Sequence, residues 1–256
     1  MLWELWTSLR TLCPPELRRL GYRYAAVACL ARARRCAAAW APHQARTQAA
    51  IRDAIATAGH GDTALVLGSG PCLDLPLPEL RARFSRLILA DAAHPPQARA
   101  LARRHREIEL ATLDLTGTAK ALLDPRAMQP PSPHCAAFLD HPGLGLVISA
   151  NLLSQLPLLP TERWARRWPE RAPEPFARAV VDAHLAHLRA FACPVLLISD
   201  ICRTILDRTG AVLSIDDPLA GAALPSGEEW DWIVAPTGEL PGGCTLVNRV
   251  RAVRFG

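Results

Sequence analysis

The sequence predicts an α/β fold: a mostly parallel sheet with helices on both faces, preceded by a helical segment and closed by a C-terminal antiparallel hairpin. Three observations carry this expectation. Five short, mainly apolar runs alternate with helix-like segments after about residue 62. Before that point, apolar residues recur at helical intervals of three and four. The last two apolar runs are joined by a loop too short to hold a crossover helix, so they are expected to pair antiparallel.

Taken in order, Leu17, Leu20, Tyr24, Val27 and Ala31 fall on one face of a helix expected from Pro15 to about Ala39. A second helix is expected to follow Pro42, pass through Ala49, Ile51 and Ile55, and stop at the Gly59-His60-Gly61-Asp62 turn. The strand runs are TALVLG at 63–68, RLILAD at 86–91, EIELATLD at 107–114, LGLVISAN at 144–151 and PVLLISD at 194–200. Trp230–Ala235 and Thr245–Phe255 form the closing pair. The proline-rich stretch at 130–133 and the segment 161–175, which holds Trp164 and Trp168, read as loops. The chain thus divides into a helical extension at 1–60 and one α/β domain at 61–256.

Composition narrows the class. With 256 residues, 50% of them hydrophobic and 21% charged, the chain has enough apolar material for one large core. No run approaches the ~18 apolar residues that a membrane span requires. The opening MLWELWTSLR has neither a basic leader nor a small-residue cleavage site, so a cytoplasmic location is expected. The eight cysteines form no CxxC pair and are expected as free thiols. His184 and His187 lie three apart without a third ligand at suitable spacing, so no metal is expected. Residues 1–60 carry nine arginines against three acidic residues, a net +6 that leaves −1 for the remainder. Lys120 is the sole lysine, so the arginine excess reads first as solvated helix faces and only second as a phosphate-binding surface.

In open parallel sheets, ligands sit beyond the carboxyl ends of the strands. The eligible residues are those at 68–74, 91–94, 114–116, 149–155 and 200–203. Gly68 and Gly70 let the first strand turn tightly and let a ligand approach the backbone. A dinucleotide loop would place a third glycine at Leu73 and start a helix at once, whereas Pro76 and Pro78 delay it. Asp91 closes the second strand and Asp114 the third, in a common register. A carboxylate at the first place can accept from vicinal ribose hydroxyls, and one at the second from an adenine amine. Each could instead cap the helix that follows.

With these residues in place, the region from about 62 to 256 resembles the class I S-adenosylmethionine-dependent methyltransferases, a family with a Rossmann-like seven-stranded sheet that ends in an antiparallel hairpin. The resemblance implies that S-adenosyl-L-methionine is bound by Gly68, Ser69, Gly70, Asp91, Asp114 and Asn151. It also implies that Ser149, Asn151 and Gln155 face the transferred methyl group and orient the acceptor. The run Asn151-Leu152-Leu153-Ser154-Gln155-Leu156-Pro157 is similar to a segment of bacterial members whose substrates are unassigned. The fourth-strand motif lacks the Asn/Asp-Pro-Pro-aromatic form that resembles methylation of nucleic-acid bases or glutamine. A small-molecule acceptor is therefore favoured over nucleic acid, and a protein acceptor stays open. Cys72 stands where the family usually has a further glycine, which motivates a second reading as an inactive binding or scaffold protein.

Displacement at a sulfonium demands alignment and exclusion of water, and a base only when the nucleophile arrives protonated. Ser149, Asn151 and Gln155 are not bases at neutral pH. His43 and His94 are the histidines expected near the rim, as surface or adenine-side contacts. The residues expected to face the methyl group are 151–155, Trp164, Trp168 and the N-terminal helices, which either close over the pocket or simply dock on the sheet.

Overall fold

The apolar runs become strands because both of their faces are covered. The structure, a computed structural model, describes residues 2–255, so Met1 and Gly256 lie outside the described residues. Four helices come first: α1 (Leu2–Arg10), α2 (Pro15–Arg19), α3 (Tyr22–Arg35) and α4 (Ala37–Ala56). β1 (Thr63–Leu67), β2 (Arg86–Asp91), β3 (Ile108–Thr112), β4 (Leu144–Ala150) and the first half of β5 (Val195–Leu206) then pair in parallel in the order β3-β2-β1-β4-β5. The intervening helices are α5 (Leu77–Arg83), α6 (Pro96–Arg104), α7 (Ala119–Leu123), α8 (Leu158–Arg167) and α9 (Glu174–Arg189).

Successive side chains on these strands point to opposite faces, and each face meets a helical layer. Leu65, Leu67, Val147 and Leu197 pack with Trp164, Phe176 and Val180 of α8 and α9. Ala64, Val66, Leu146 and Ile148 pack with Trp40 and Ile51 of α4 and Leu80 of α5. β1 lies between β2 and β4, in register Leu65↔Ile88 and Leu65↔Val147. The chain reverses its direction of travel across the sheet there, which opens a crevice at the carboxyl ends of β1 and β4.

The sheet holds eight strands where seven were expected. β5 continues past Asp200 to Leu206 and turns back as β6 (Val212–Asp216), which pairs antiparallel with its outer half. β7 (Glu228–Ala235) and β8 (Thr245–Phe255) close the sheet as an antiparallel pair, with β8 against β5. The expected helix at 15–39 is interrupted at Gly21, whose φ is +101°, and at Cys36. α4 begins upstream of Pro42 and accommodates it in its second turn, at the cost of one backbone hydrogen bond near the helix end. The segment 161–175 is largely helix rather than loop, because Trp164 and Trp168 are core residues; Trp164 stacks on Phe176 at 4.4 Å.

The N-terminal segment is tied to the carboxyl end of the sheet. Leu12 and His94 exchange backbone hydrogen bonds of 2.8 Å in both directions, just beyond β2. From there α2 buries Leu17 and Leu20 in the core, and α3 runs across the crevice. No described helix is long and apolar enough to cross a membrane.

Candidate functional site

β1 ends in a loop that takes its shape from close contact with β4. The Gly68 amide donates to Ala90 O at 2.9 Å, and its φ of +79° turns the chain over the strand end. A Cβ on Gly68 would lie 2.7 Å from Leu152 Cβ and 3.1 Å from Ala150 O, so only glycine lets the two loops meet. Gly70 (φ +46°) then directs its amide to Asp91 Oδ2 at 2.7 Å, while the Ala93 amide donates to Oδ1 at 3.2 Å. Burial pushes the Asp91 carboxyl up, opposed by these amides and by His94. The glycine loop and the second-strand aspartate are thus one hydrogen-bonded unit.

This unit borders a cavity of about 260 Å³. Gly68, Ser69 and Gly70 form one wall and Asp91 another. Leu113 and Leu115 extend that side, and Asn151 and Gln155 come from the loop after β4. Tyr22, Ala26 and Cys29 of α3 close over it, and Trp40 and Trp232 stand at the opposite end. Its only carboxyl groups among the described residues are those of Asp74 and Asp91; no arginine or lysine lines it.

Of the residues singled out from the sequence, Gly68, Ser69, Gly70, Asp91, Asn151 and Gln155 come together around the cavity, and Ser149 and Asp114 do not. Ser149 is fully buried with its hydroxyl 2.9 Å from His184 Nε2, inside the core. Asp114 lies two residues past β3, and its carboxylate faces its own loop. Oδ1 accepts from Thr116 N and Oγ1 at 2.8 and 2.6 Å, and Oδ2 accepts from Ala119 N at 2.7 Å at the start of α7. That is the helix-capping alternative. Trp164 and Trp168 are absent from the cavity lining, where Tyr22, Trp40 and Trp232 supply the aromatic surface. Tyr24 is 79% exposed.

His43 and His94 are both buried, not surface groups. His94 Nε2 is paired with Ala111 O at 3.2 Å. His43 stacks on Trp232 at 4.0 Å, and burial holds its pKa down to about 3. The Trp230 indole N–H donates to His43 Nδ1 at 3.0 Å. Asn151 Nδ2 lies 3.1 Å from His43 Nε2 and 3.0 Å from Asp74 Oδ2. Asn151 itself adopts a left-handed backbone (φ +51°), a strain of the kind that surrounding structure must hold in place. Burial pushes the Asp74 carboxyl up to about 6, with the Asn151 contact pulling it back.

Asp74 is the ionisable group that the sequence reading passed over. It lies within the eligible stretch 68–74, but nothing local marks it, because its partners come from α4 and from the loop after β4. His184 and His187 are buried in the core, and among the described residues no group of three or more histidines, cysteines or acids could hold a metal.

No family model and no curated protein matches the chain. Among solved structures it is similar to the 23S rRNA methyltransferase ErmE, at 13% identity and a TM-score of 0.29, over 78% of this chain and 66% of that one. It is also similar to DhpI in complex with SAH, at 15% identity and a TM-score of 0.35, over 88% and 93%. A third is the 1,6-didemethyltoxoflavin-N1-methyltransferase of Burkholderia thailandensis, at 12% identity and a TM-score of 0.35, over 94% and 91%.

Proposed function

We propose that the chain is an S-adenosylmethionine-dependent methyltransferase that acts on a small molecule. The observation that carries the reading is the joining, at the switch point of the sheet, of a left-handed glycine loop to the Asp91 carboxylate on the border of one cavity. An ionised carboxylate has about four acceptor sites. Asp91 spends two of them on Gly70 and Ala93, which leaves acceptor capacity for vicinal ribose hydroxyls. Ser69 Oγ is buried at the cavity and has no partner among the described residues, a polar atom that a ligand would satisfy.

The residues fit this cofactor better than a dinucleotide. A pyrophosphate needs cations or a helix N-terminus, and here the cavity has no arginine or lysine and α5 starts only at Leu77. When bound, the cofactor supplies an electrophilic methyl group on a sulfonium. The chain aligns the reactants and excludes water: α3 covers the crevice, and Leu152, Leu156, Leu158 and Leu159 make its floor apolar. The same lack of cationic side chains within the cavity favours an uncharged or cationic small acceptor.

Calorimetric titration with S-adenosylhomocysteine and with NAD tests the reading. S-adenosylhomocysteine is expected to bind, and Asp91→Ala to weaken it by about 10- to 100-fold, the worth of one hydrogen bond to a charged group. Binding of NAD in preference, or no binding of S-adenosylhomocysteine at millimolar concentration, would overturn it, the latter in favour of an inactive scaffold.

A further inference from the structure

The chain Trp230–His43–Asn151–Asp74 contains a hydrogen-bonding constraint that fixes where a proton sits. An indole N–H only donates. Because Trp230 Nε1 donates to His43 Nδ1, that nitrogen carries a lone pair, and the neutral imidazole must bear its hydrogen on Nε2. A charged imidazole is opposed by burial. Nε2–H therefore points at the Asn151 carboxamide 3.1 Å away and requires an acceptor there. The two ends of a carboxamide exchange by a half-turn, so Asn151 presents Oδ1 to the imidazole. That same end lies 3.0 Å from Asp74 Oδ2. Two oxygens at this distance attract only with a hydrogen between them, and the hydrogen belongs to Asp74.

We propose that Asp74 is a proton-linked recognition site: a neutral acid donating to Asn151 when the cavity is empty, and a carboxylate when a bound ligand brings an ammonium or another N–H donor to it. The proton displaced from Asp74 goes to solvent, and the ligand's N–H takes its place on Oδ2. The proposal rests on reading the cavity as a cofactor and acceptor site, although the protonation of the empty site stands without it. No cation competes for the carboxyl. The titratable groups facing it are His43 from α4, Cys29 from α3 and Cys72 from the loop after β1. All of these are neutral or negative, so each leaves the acid form favoured. With the amide turned over, the Asn151 donor that pulls the Asp74 pKa back toward the ordinary range is removed as well. Two ligands carry the required chemistry, the amino-acid end of the cofactor and an amine acceptor.

The test is a pH titration of the ligand-free protein with carboxyl-13C-labelled aspartate, the Asp74 signal being assigned by its loss in Asp74→Asn. In the wild type it is expected to titrate well above the ordinary carboxylate range. Trp230→Phe keeps an aromatic ring but frees His43 Nδ1 to carry the hydrogen, so Nε2 can accept and Asn151 can turn its NH2 to a carboxylate. The Asp74 midpoint should then fall by about one pH unit or more, the scale of one charge-assisted hydrogen bond. His43→Phe, which removes the imidazole, should lower it too and serves if the first variant does not fold. An ordinary midpoint in the wild type, or one unmoved in both folded variants, overturns the proposal. Calorimetry with S-adenosylhomocysteine in buffers of different ionisation enthalpy then identifies the donor. Proton release that vanishes in Asp74→Asn is expected and assigns the donor to the cofactor, and binding without release overturns the proton-linked recognition. Failure of S-adenosylhomocysteine to bind would sink the cofactor reading alone, because the ligand-free titration reads the proton independently.

Discussion

Replacing Gly68 by alanine should be far more costly than the same change at a left-handed glycine with open space around it, such as Gly210. A non-glycine residue in the left-handed region costs about 1–2 kcal/mol. At Gly68 (φ +79°) a second cost adds, because the new Cβ would stand 2.7 Å from Leu152 Cβ, against a carbon–carbon optimum of about 3.5–4.0 Å. Ala150 O at 3.1 Å blocks retreat, so the loops after β1 and β4 must part by about 1 Å, an overpacking worth about 1–3 kcal/mol. The expected loss for Gly68→Ala is therefore about 2–5 kcal/mol. Gly210 (φ +88°), in the turn between β5 and β6, has no atom within 4 Å of its would-be Cβ, so Gly210→Ala should show the backbone cost alone. Gly70 (φ +46°) meets only Asp91 Oδ2 at 4.0 Å, so Gly70→Ala should match Gly210→Ala in stability while placing a methyl group beside Asp91 and weakening S-adenosylhomocysteine. Urea unfolding of the three variants, analysed for midpoint at constant slope, checks the order. Equal losses for Gly68→Ala and Gly210→Ala would refute the reasoning that loop contact, and not backbone strain, makes Gly68 obligatory.

Two buried groups give stability opposite pH dependences. Burial, with a smaller push from His187, holds the His184 pKa down to about 3 from an unfolded value of 6.5. The unfolded chain thus takes up a proton that the fold refuses, and stability is lost as pH falls from about 6.5 toward 3, by up to about 1.4 kcal/mol per unit. His184→Gln should flatten that limb in urea unfolding measured across pH, and an unchanged slope would show that His184 is not the source. Burial raises Asp200 to about 6, against Ser154 and Arg203. Its contribution is present below about 3.8 and is lost as pH rises through 6. Asp200→Asn should therefore gain relative stability above pH 6, by up to about 3 kcal/mol less the hydrogen bond from Ser154 Oγ, and a variant that gains nothing at pH 7 would count against a costly buried carboxylate.

The sequence by itself determined the sheet and the end of it at which the cavity opens. Runs such as TALVLG and RLILAD are apolar without alternation through their middle, a pattern that suits strands covered on both faces, and β1 and β2 formed within a residue of those bounds. The terminal hairpin was equally legible, because a short linker leaves no alternative to antiparallel pairing. β6 was not legible: Val212, Leu213 and Ile215 are exposed, so no burial pattern records them, and the strand exists only because β5 overruns the sheet and offers an edge. Nor could spacing separate Asp91 from Asp114. Both follow strands in the same register, yet one carboxylate meets Gly70 at the cavity while the other is consumed at the start of α7. The tryptophans were misplaced for a related reason: Trp164 and Trp168 sit among prolines in the sequence but fill the core, and Trp40 and Trp232, far apart in the chain, line the cavity together. Asp74 is the sharpest instance. Its chemistry depends on His43 and Asn151, which lie in separate elements and meet it only after the sheet has folded, since periodicity encodes what each element buries and not which distant polar atoms are buried together.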